Sequence, residues 1–319
     1  MRKINFATAV GEALREEMER DERVFLIGED IGPVRAPGDD LWAQFRERRV
    51  WQTPISEAGF TGLAVGAAAA GLRPVVEIMY CDFVTCCMDA ICNQAAKINL
   101  MSGGEFKVPM VIKTPAGAGT REGGHHSQSL EAWFMHTPGL KVAMPGTPAD
   151  AKGLLKAAIR EDMPVIYIQH RLLHPQIGEV PDDDYVIPLG QADVKREGND
   201  ITLVAYSYAL TKALAAAEEL AGEISVEVVD PRTLVPLDLE TLTKSVTKTR
   251  RMLVVHEAPE RGGAGAEIVR QVVAQGVEWA APPQVLGGRP VPMPYSPPLE
   301  DYCLPQVSDI VARIRALIG

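Results

Sequence analysis

Short apolar runs rich in valine and isoleucine recur along the whole chain, and between them lie stretches with the periodicity of helices. That alternation constrains the fold more than any other feature. Neighbouring parallel strands need a crossover between them, usually a helix, so the pattern predicts an α/β architecture with mainly parallel sheets. Residues 24–27, 74–79, 108–113, 141–144 and 165–169 read as strands, with helices over 7–20, 58–70, 83–99, 129–134 and 149–161. A polar, proline-containing passage over 174–184 then breaks the rhythm and reads as a linker. A second series follows, with strands over 201–206, 225–229 and 252–256 and helices over 209–220, 239–247 and 266–273. A proline-dense tail over 282–298 precedes a last amphipathic helix over 307–317. The expected division is a first domain over 1–175, a linker over 176–187 and a second domain over 188–319.

A chain of 319 residues is long enough for two domains with sizeable cores. Its net charge of −10 argues against nucleic acid, whose phosphates need a basic surface. No signal peptide or membrane span is expected, because the Gly/Ala-rich run near residue 66 is too short to cross a bilayer. Five cysteines, four of them bunched, do not form a disulfide framework in so long a chain, which points to a reducing cytoplasm. The bunch Cys81, Cys86, Cys87 and Cys92 lacks the spacing of a zinc or iron–sulfur site and reads as small core residues. The charged stretch over 16–23 reads as a solvated helix end.

Glu57 stands out within Thr53-Pro54-Ile55-Ser56-Glu57-Ala58-Gly59-Phe60, just ahead of the run from Ala64 to Gly71. These small apolar residues could pack closely against another surface. A carboxyl group buried there would titrate high, toward the range useful for proton transfer. One cofactor that uses such a group is thiamine diphosphate. A carboxyl bonded to its pyrimidine N1′ favours the imino tautomer, whose amino group can then deprotonate thiazolium C2. Taken alone, Glu57 also reads as a first-turn residue complementing the helix dipole after a Ser56 cap.

Met79 and Phe83 follow a strand, in the position where open α/β sheets bind ligands at their carboxyl ends. They could pad and stack on a flat ring, or be ordinary core residues. Gly123-Gly124-His125-His126-Ser127-Gln128-Ser129 describes a loop before a helix that Ser127 or Ser129 could cap. An imidazole held there can exchange protons near neutral pH, or be a surface residue beside a cap. His256-Glu257, at a strand end, reads as a polar pair with nothing to select it for catalysis.

The chain resembles the β subunit of the heterotetrameric, thiamine-diphosphate-dependent E1 component of 2-oxo acid dehydrogenase complexes, the pyruvate, branched-chain and acetoin group. Ordered matches span almost its full length. They include Gly28-Glu29-Asp30, residues 53–71, 73–77, Asn93-Gln94-Ala95-Ala96-Lys97, Met101-Ser102-Gly103-Gly104, His126-Ser127-Gln128-Ser129 and Thr137-Pro138-Gly139-Leu140-Lys141-Val142. Asp150-Ala151-Lys152-Gly153-Leu154, Val228-Val229-Asp230-Pro231-Arg232-Thr233-Leu234, Pro236-Leu237-Asp238 and Val255-His256-Glu257 continue the series. The resemblance implies a pyrimidine-binding parallel-sheet domain followed by a transketolase C-terminal-type domain. It implies Glu57 on the pyrimidine N1′, Met79 and Phe83 in the pyrimidine pocket, and His126 in proton transfer near the substrate. It also implies a structural potassium ion on the backbone carbonyls of Ala158, Ile159 and Glu161. The cysteine-rich stretch over 81–92 departs from the family pattern but leaves Phe83 in place.

Thiamine enzymes hold Mg²⁺ and the diphosphate with a Gly-Asp-Gly segment and an asparagine some thirty residues on, hard oxygen donors suited to that ion. The nearest approach here is Gly38-Asp39-Asp40, and no asparagine occurs between Asn5 and Asn93. The expected arrangement is therefore an α₂β₂ assembly in which an α subunit holds Mg²⁺ and shares the cofactor. Its products would pass to the lipoyl group of an E2 acyltransferase. Alternatives are a subunit of a split transketolase acting on sugar phosphates, and a non-catalytic scaffold bridging α to E2. The choice among 2-oxo acids and acetoin is not legible in this chain.

Overall fold

The computed structural model describes residues 1–31 and 41–319; the Gly38-Asp39-Asp40 stretch lies outside the described residues. Two compact units are present. One comprises Met1–Ala116 with Trp133–Leu189, the other Gly117–Ala132 with Gly190–Gly319.

The first unit contains β1 (Arg2–Asn5), β2 (Val24–Gly28), β3 (Val50–Gln52), β4 (Arg73–Glu77), β5 (Val111–Ala116), β6 (Lys141–Ala143), β7 (Val165–His170) and β8 (Ile177–Val180). Strands β6, β7, β5, β4, β2 and β3 lie side by side in that order, and every pairing is parallel. Every residue of β2, β5 and β7 is buried, so these strands do not alternate: they begin as apolar runs, and β5 and β7 also bury Lys113, Thr114, Gln169 and His170. The helix Phe6–Arg20 starts where Asn5 accepts from the Thr8 amide, and Pro148–Arg160 starts at a Thr147 cap with proline in its first turn.

Charge joins these two helices as well as apolar contact. Lys152 Nζ donates to Glu12 at 3.1 Å and Glu16 at 2.5 Å, Lys156 to Glu16 at 2.6 Å and to Asp184. Glu17 is fully buried against Arg160 at 2.6 Å. The solvated helix end expected over 16–23 therefore fails at Glu17, because a helix arriving from far along the chain covers it.

Two further expectations are corrected. The passage read as a linker contains β8, which pairs antiparallel with β1 from Arg2↔Val180 to Asn5↔Ile177. The single helix expected over 83–99 is instead a tight 3₁₀ segment Cys81–Cys87, a wide π segment Asp89–Ala95 and a short α-turn Ile98–Met101. Thr85 Oγ1 bonds the Asp82 carbonyl and Cys87 Sγ the Val84 carbonyl, each three residues back. Such side-chain bonds compete with the regular i→i−4 ladder.

The second unit contains β9 (Asp193–Arg196), β10 (Ile201–Ala205), β11 (Val226–Asp230), β12 (Thr233–Val235), β13 (Met252–Pro259) and β14 (Gln284–Gly288). One sheet runs β14-β13-β10-β11-β9, parallel except for the antiparallel edge strand β9. Helices Tyr208–Glu219 and Val307–Ile318 bury Leu210, Ala213, Ala217, Ile310 and Ile314 against Leu203, Val228 and Val255. The edge strands β9 and β14 are only half-buried and so carry no apolar run to announce them. Among the described residues, no helix is long and apolar enough to cross a membrane.

Candidate active site

The candidate residues fall in two groups, one in each unit. In the first unit Glu57 opens the helix Glu57–Ala69 and is 9% exposed. Ser56 occupies the cap position but its side chain makes no capping bond, so the carboxylate is left as the acid of the first turn. One face of this helix buries Phe60, Thr61, Ala64, Val65 and Ala68; Ala58, Gly59, Gly62, Leu63 and Gly66 remain exposed on another.

Beside Glu57 the structure places a residue that spacing alone did not single out. Gly28 ends β2 so close to β4 that a Cβ on it would lie 2.3 Å from the Glu77 carbonyl oxygen. Only glycine allows that approach, and the chain then turns Glu29 inward. Glu29 is 4% exposed; its Oε1 accepts from the Met79 amide at 3.3 Å and its Oε2 is buried without a partner. Burial pushes its pKa up, and the neighbouring charges of Glu57, Asp30 and Glu77 push it further in the same direction. Glu29 thus keeps a proton to higher pH than a free glutamate and can exchange it beside Glu57. The one trace of this in the sequence is the segment Gly28-Glu29-Asp30, a resemblance without a role.

Met79 and Phe83, together with Tyr80, are half-buried just beyond β4. Apolar and aromatic surface is therefore available at the carboxyl edge of the sheet, as a flat ring requires. Below them Lys113 of β5 and Glu77 of β4 stand opposite one another and form a buried ion pair, with Nζ 2.8 and 2.5 Å from the two carboxylate oxygens.

The cysteine cluster is not uniformly core. Cys81 and Cys87 are buried, Cys92 is half-buried and Cys86 is exposed. Burial pushes the Cys87 thiol up to about 11, which keeps it protonated and unreactive. The carbonyl donors implied for potassium already face a cation. Arg73 Nη1 donates to the carbonyls of Ile159 at 3.0 Å and Glu161 at 2.9 Å, and its Nη2 to Asp162 at 2.6 Å. The Ala158 carbonyl accepts from the Glu161 amide at 3.3 Å. Two of the three carbonyls thus each accept one guanidinium N–H, and each oxygen has a second lone pair. Among the described residues no group of three or more His, Cys, Asp and Glu side chains could hold a metal ion.

In the second unit His126 is half-buried and His125 exposed, in the turn closed by the His126 amide on the Gly123 carbonyl at 3.3 Å. Gly123 has φ +73°, and a Cβ there would lie 2.4 Å from the ring of Tyr295, so a side chain at this position is excluded twice over. The Ser127 hydroxyl is buried without a partner and caps no helix.

His256 is fully buried. Its Nδ1 lies 3.0 Å from the Ala258 carbonyl and its Nε2 has no partner. Gly263, Gly265 and Gly287 crowd the ring; a Cβ on any of them would meet a ring atom at 2.5 to 2.8 Å. Burial drives its pKa down to about 4. Unfolded histidine takes a proton below its ordinary pKa of about 6.5, and the folded one refuses it until about pH 4. Stability is therefore expected to fall as pH drops through that window, by up to about 3 kcal/mol from this residue. Thermal melts of wild type and His256→Gln from pH 7 to 4 check this: the variant should show the smaller acid loss, and parallel curves would refute it.

Residues 2–176 match the pyrimidine-binding domain of transketolase and residues 190–310 the transketolase C-terminal domain. The chain is 44% identical over 315 residues to the pyruvate dehydrogenase E1 component subunit beta of Rhizobium meliloti, covering 97% of this chain and 68% of that one. It is 42% identical over 321 residues to the 2-oxoisovalerate dehydrogenase subunit beta of Bacillus subtilis, covering 98% of each. It is likewise 42% identical over 334 residues to the acetoin:2,6-dichlorophenolindophenol oxidoreductase subunit beta of Cupriavidus necator, covering 98% and 97%. Among solved structures, a split-gene transketolase described as an inactive β₄ tetramer superposes with a TM-score of 0.82 at 24% identity, covering 99% of both chains. At that identity the likeness speaks for the fold.

Proposed function

Because this chain belongs to the family of E1 β subunits of 2-oxo acid and acetoin dehydrogenases, built from two transketolase-type domains, we propose that it forms the β half of an α₂β₂ E1 enzyme. That enzyme decarboxylates a 2-oxo acid or cleaves acetoin on thiamine diphosphate and passes the acyl group to the lipoyl arm of an E2 acyltransferase. The observation that carries the reading is Glu57: a buried carboxylate at a helix start, near a second buried carboxyl group, Glu29, whose pKa burial and the charge of Glu57 push up. The two domains would span 1–175 and 188–319, with the intervening 176–187 contributing β8 to the first unit.

Thiamine diphosphate, when bound, supplies the electron sink for cleaving the bond next to the carbonyl carbon. The residues of this chain would do the rest of the local work. Glu57 would bond the pyrimidine N1′, and Met79 and Phe83 would line the ring. Glu29, whose pKa burial and the charge of Glu57 push up, would accept a proton near Glu57 more readily than a free glutamate does. His126 would move a proton on the substrate side during transfer to lipoyl. Mg²⁺ and the diphosphate fall to the α subunit. A structural potassium ion on the carbonyls of Ala158, Ile159 and Glu161 would share the last two with Arg73. None of the five cysteines is in a disulfide, which suits the reducing cytoplasm proposed for the protein.

The helix that begins at Glu57 supports an obligate partner. Glycine costs roughly 1 kcal/mol relative to alanine inside a helix, and Gly59, Gly62 and Gly66 all lie in this one. A Cβ on Gly62 or Gly66 would meet nothing within 4 Å in this chain. Nothing in the chain itself demands glycine there, whereas a second surface packed closely on that face would. Gly66→Leu is therefore expected to leave the β chain folded and to block assembly with α, read by size-exclusion mass and cofactor retention. Wild-type assembly in that variant would refute the packing role.

The relatives at 42–44% identity support the E1 reading over a split transketolase or a scaffold. The deciding experiment is co-expression with an α-type subunit, followed by thiamine-dependent reduction of an artificial acceptor with pyruvate, branched 2-oxo acids, 2-oxoglutarate and acetoin. Turnover with one of these names the substrate. A stable, cofactor-loaded assembly inert to all of them but active on sugar phosphates would overturn the proposal.

A further inference from the structure

The loop that carries His126 is held by carboxylates from distant parts of the second unit. Glu257 Oε1, near the end of β13, accepts from the Ala118 amide at 2.5 Å. Glu300, with no exposed surface, accepts from the next amide, Gly119, at 2.7 Å through Oε1. Its Oε2 takes the Arg121 guanidinium at 2.8 Å. Arg121 Nη1 also reaches the Pro297 carbonyl at 3.0 Å and Asp301 at 2.9 Å. Gly117 and Gly119 lie at φ +91° and +96°, a backbone curl that turns successive amides toward anions. In this loop the anions are the protein's own glutamates.

The backbone at Arg121 shows that these contacts hold the loop. Its φ of +64° is uncommon for any residue with a side chain and persists only where the surroundings over-determine it. Here Glu300, Asp301 and the Pro297 carbonyl grip its guanidinium from one side. Tyr295 lies against Gly123 two residues later. At the far end, the buried Tyr206 hydroxyl donates to Glu131 at 2.9 Å. The loop is thus fastened on both sides of His126, and its upstream fastening is charged, buried and directed at main-chain atoms.

We propose that Glu257 and Glu300 are positioning residues for His126: two carboxylates that fix the backbone of residues 117–126 so that the imidazole is presented in one place. The inference rests on the proton-handling role proposed above for His126. Charge-assisted bonds to backbone amides are about twice as strong as neutral ones, and a reacting group displaced by about 1 Å can lose about 100-fold in rate.

The test uses the assembled α/β enzyme with wild-type, Glu300→Ala, Glu300→Gln, Glu257→Ala and His126→Ala β chains. Amide hydrogen exchange over 118–126 should rise at least about tenfold in Glu300→Ala, with β10 and β13 unchanged. The ratio of acyl transfer to a lipoyl domain over decarboxylation with an artificial acceptor should fall about 10- to 100-fold in Glu300→Ala and Glu257→Ala. Glu300→Gln, which keeps an acceptor for Gly119, should recover much of that ratio. A Glu300→Ala/His126→Ala double variant should be no worse in transfer than His126→Ala alone. Loop exchange and a rate ratio both at wild-type level, with His126→Ala impaired, would overturn the inference and leave the E1 reading standing. Equal loss of both rates with faster exchange throughout would overturn it too, by showing a merely structural role. Undiminished transfer in His126→Ala would remove the role of His126 itself, and this inference with it.

Discussion

Glu57→Gln in the assembled enzyme is expected to lower turnover about 100- to 10,000-fold while the β chain keeps its fold. Glutamine fills the same volume at the start of the helix Glu57–Ala69, and it still offers an oxygen and an N–H. It cannot present an ionised carboxylate, and it cannot take up or release a proton. Losing one negative charge from a helix first turn costs only about 0.3–1 kcal/mol of stability. The two effects therefore separate by orders of magnitude. Acceptor reduction measured with cofactor occupancy and a thermal melt distinguishes them, and near-wild-type turnover in the loaded assembly would sink the assignment. A second consequence concerns Glu29, whose raised pKa owes part of its shift to the charge of Glu57. Neutralising Glu57 should bring the Glu29 pKa partway down, toward an ordinary carboxyl; a carboxyl infrared band followed against pH would report it.

Lys113→Met is expected to be the most damaging single change to the fold of the first unit. Lys113 Nζ sits 2.5 Å from Glu77, and their side chains are 3% and 0% exposed. Removing one partner of a buried ion pair costs about 3–5 kcal/mol. For a unit of this size that corresponds to a melting shift of roughly 6–20 °C. The double variant Glu77→Met/Lys113→Met should recover most of the loss, because two apolar groups of similar size need no pairing. Calorimetry resolving the two units is the appropriate measurement, since a two-unit chain need not melt as one. A shift within about 1 °C in the single variant would show that water or another group satisfies Glu77.

Much of this protein was legible before its structure. The alternation of apolar runs and helical patterns announced a mainly parallel α/β chain because strand and helix periods are local properties, written in neighbouring residues. The buried strands β2, β5 and β7 follow from that pattern, as does the placement of Met79 and Phe83 at a strand's carboxyl edge. Glu57 was conspicuous because a lone carboxylate in small apolar company is costly and needs a reason. Where polar side chains competed with backbone hydrogen bonding, as over 81–101, the local reading of one continuous helix failed.

Tertiary structure alone decided which distant residues meet. Glu29 comes beside Glu57 because Gly28 lets β2 close on β4. Glu77 faces Lys113 because the register of β4 on β5 sets them opposite. Arg73 takes the carbonyls of Ile159 and Glu161 across 86 and 88 residues, and Glu257 and Glu300 reach the loop of His126 across still longer separations. Periodicity carries no information about such pairings. They are fixed by sheet order and register, which depend on the packing of the whole unit rather than on any stretch of its chain.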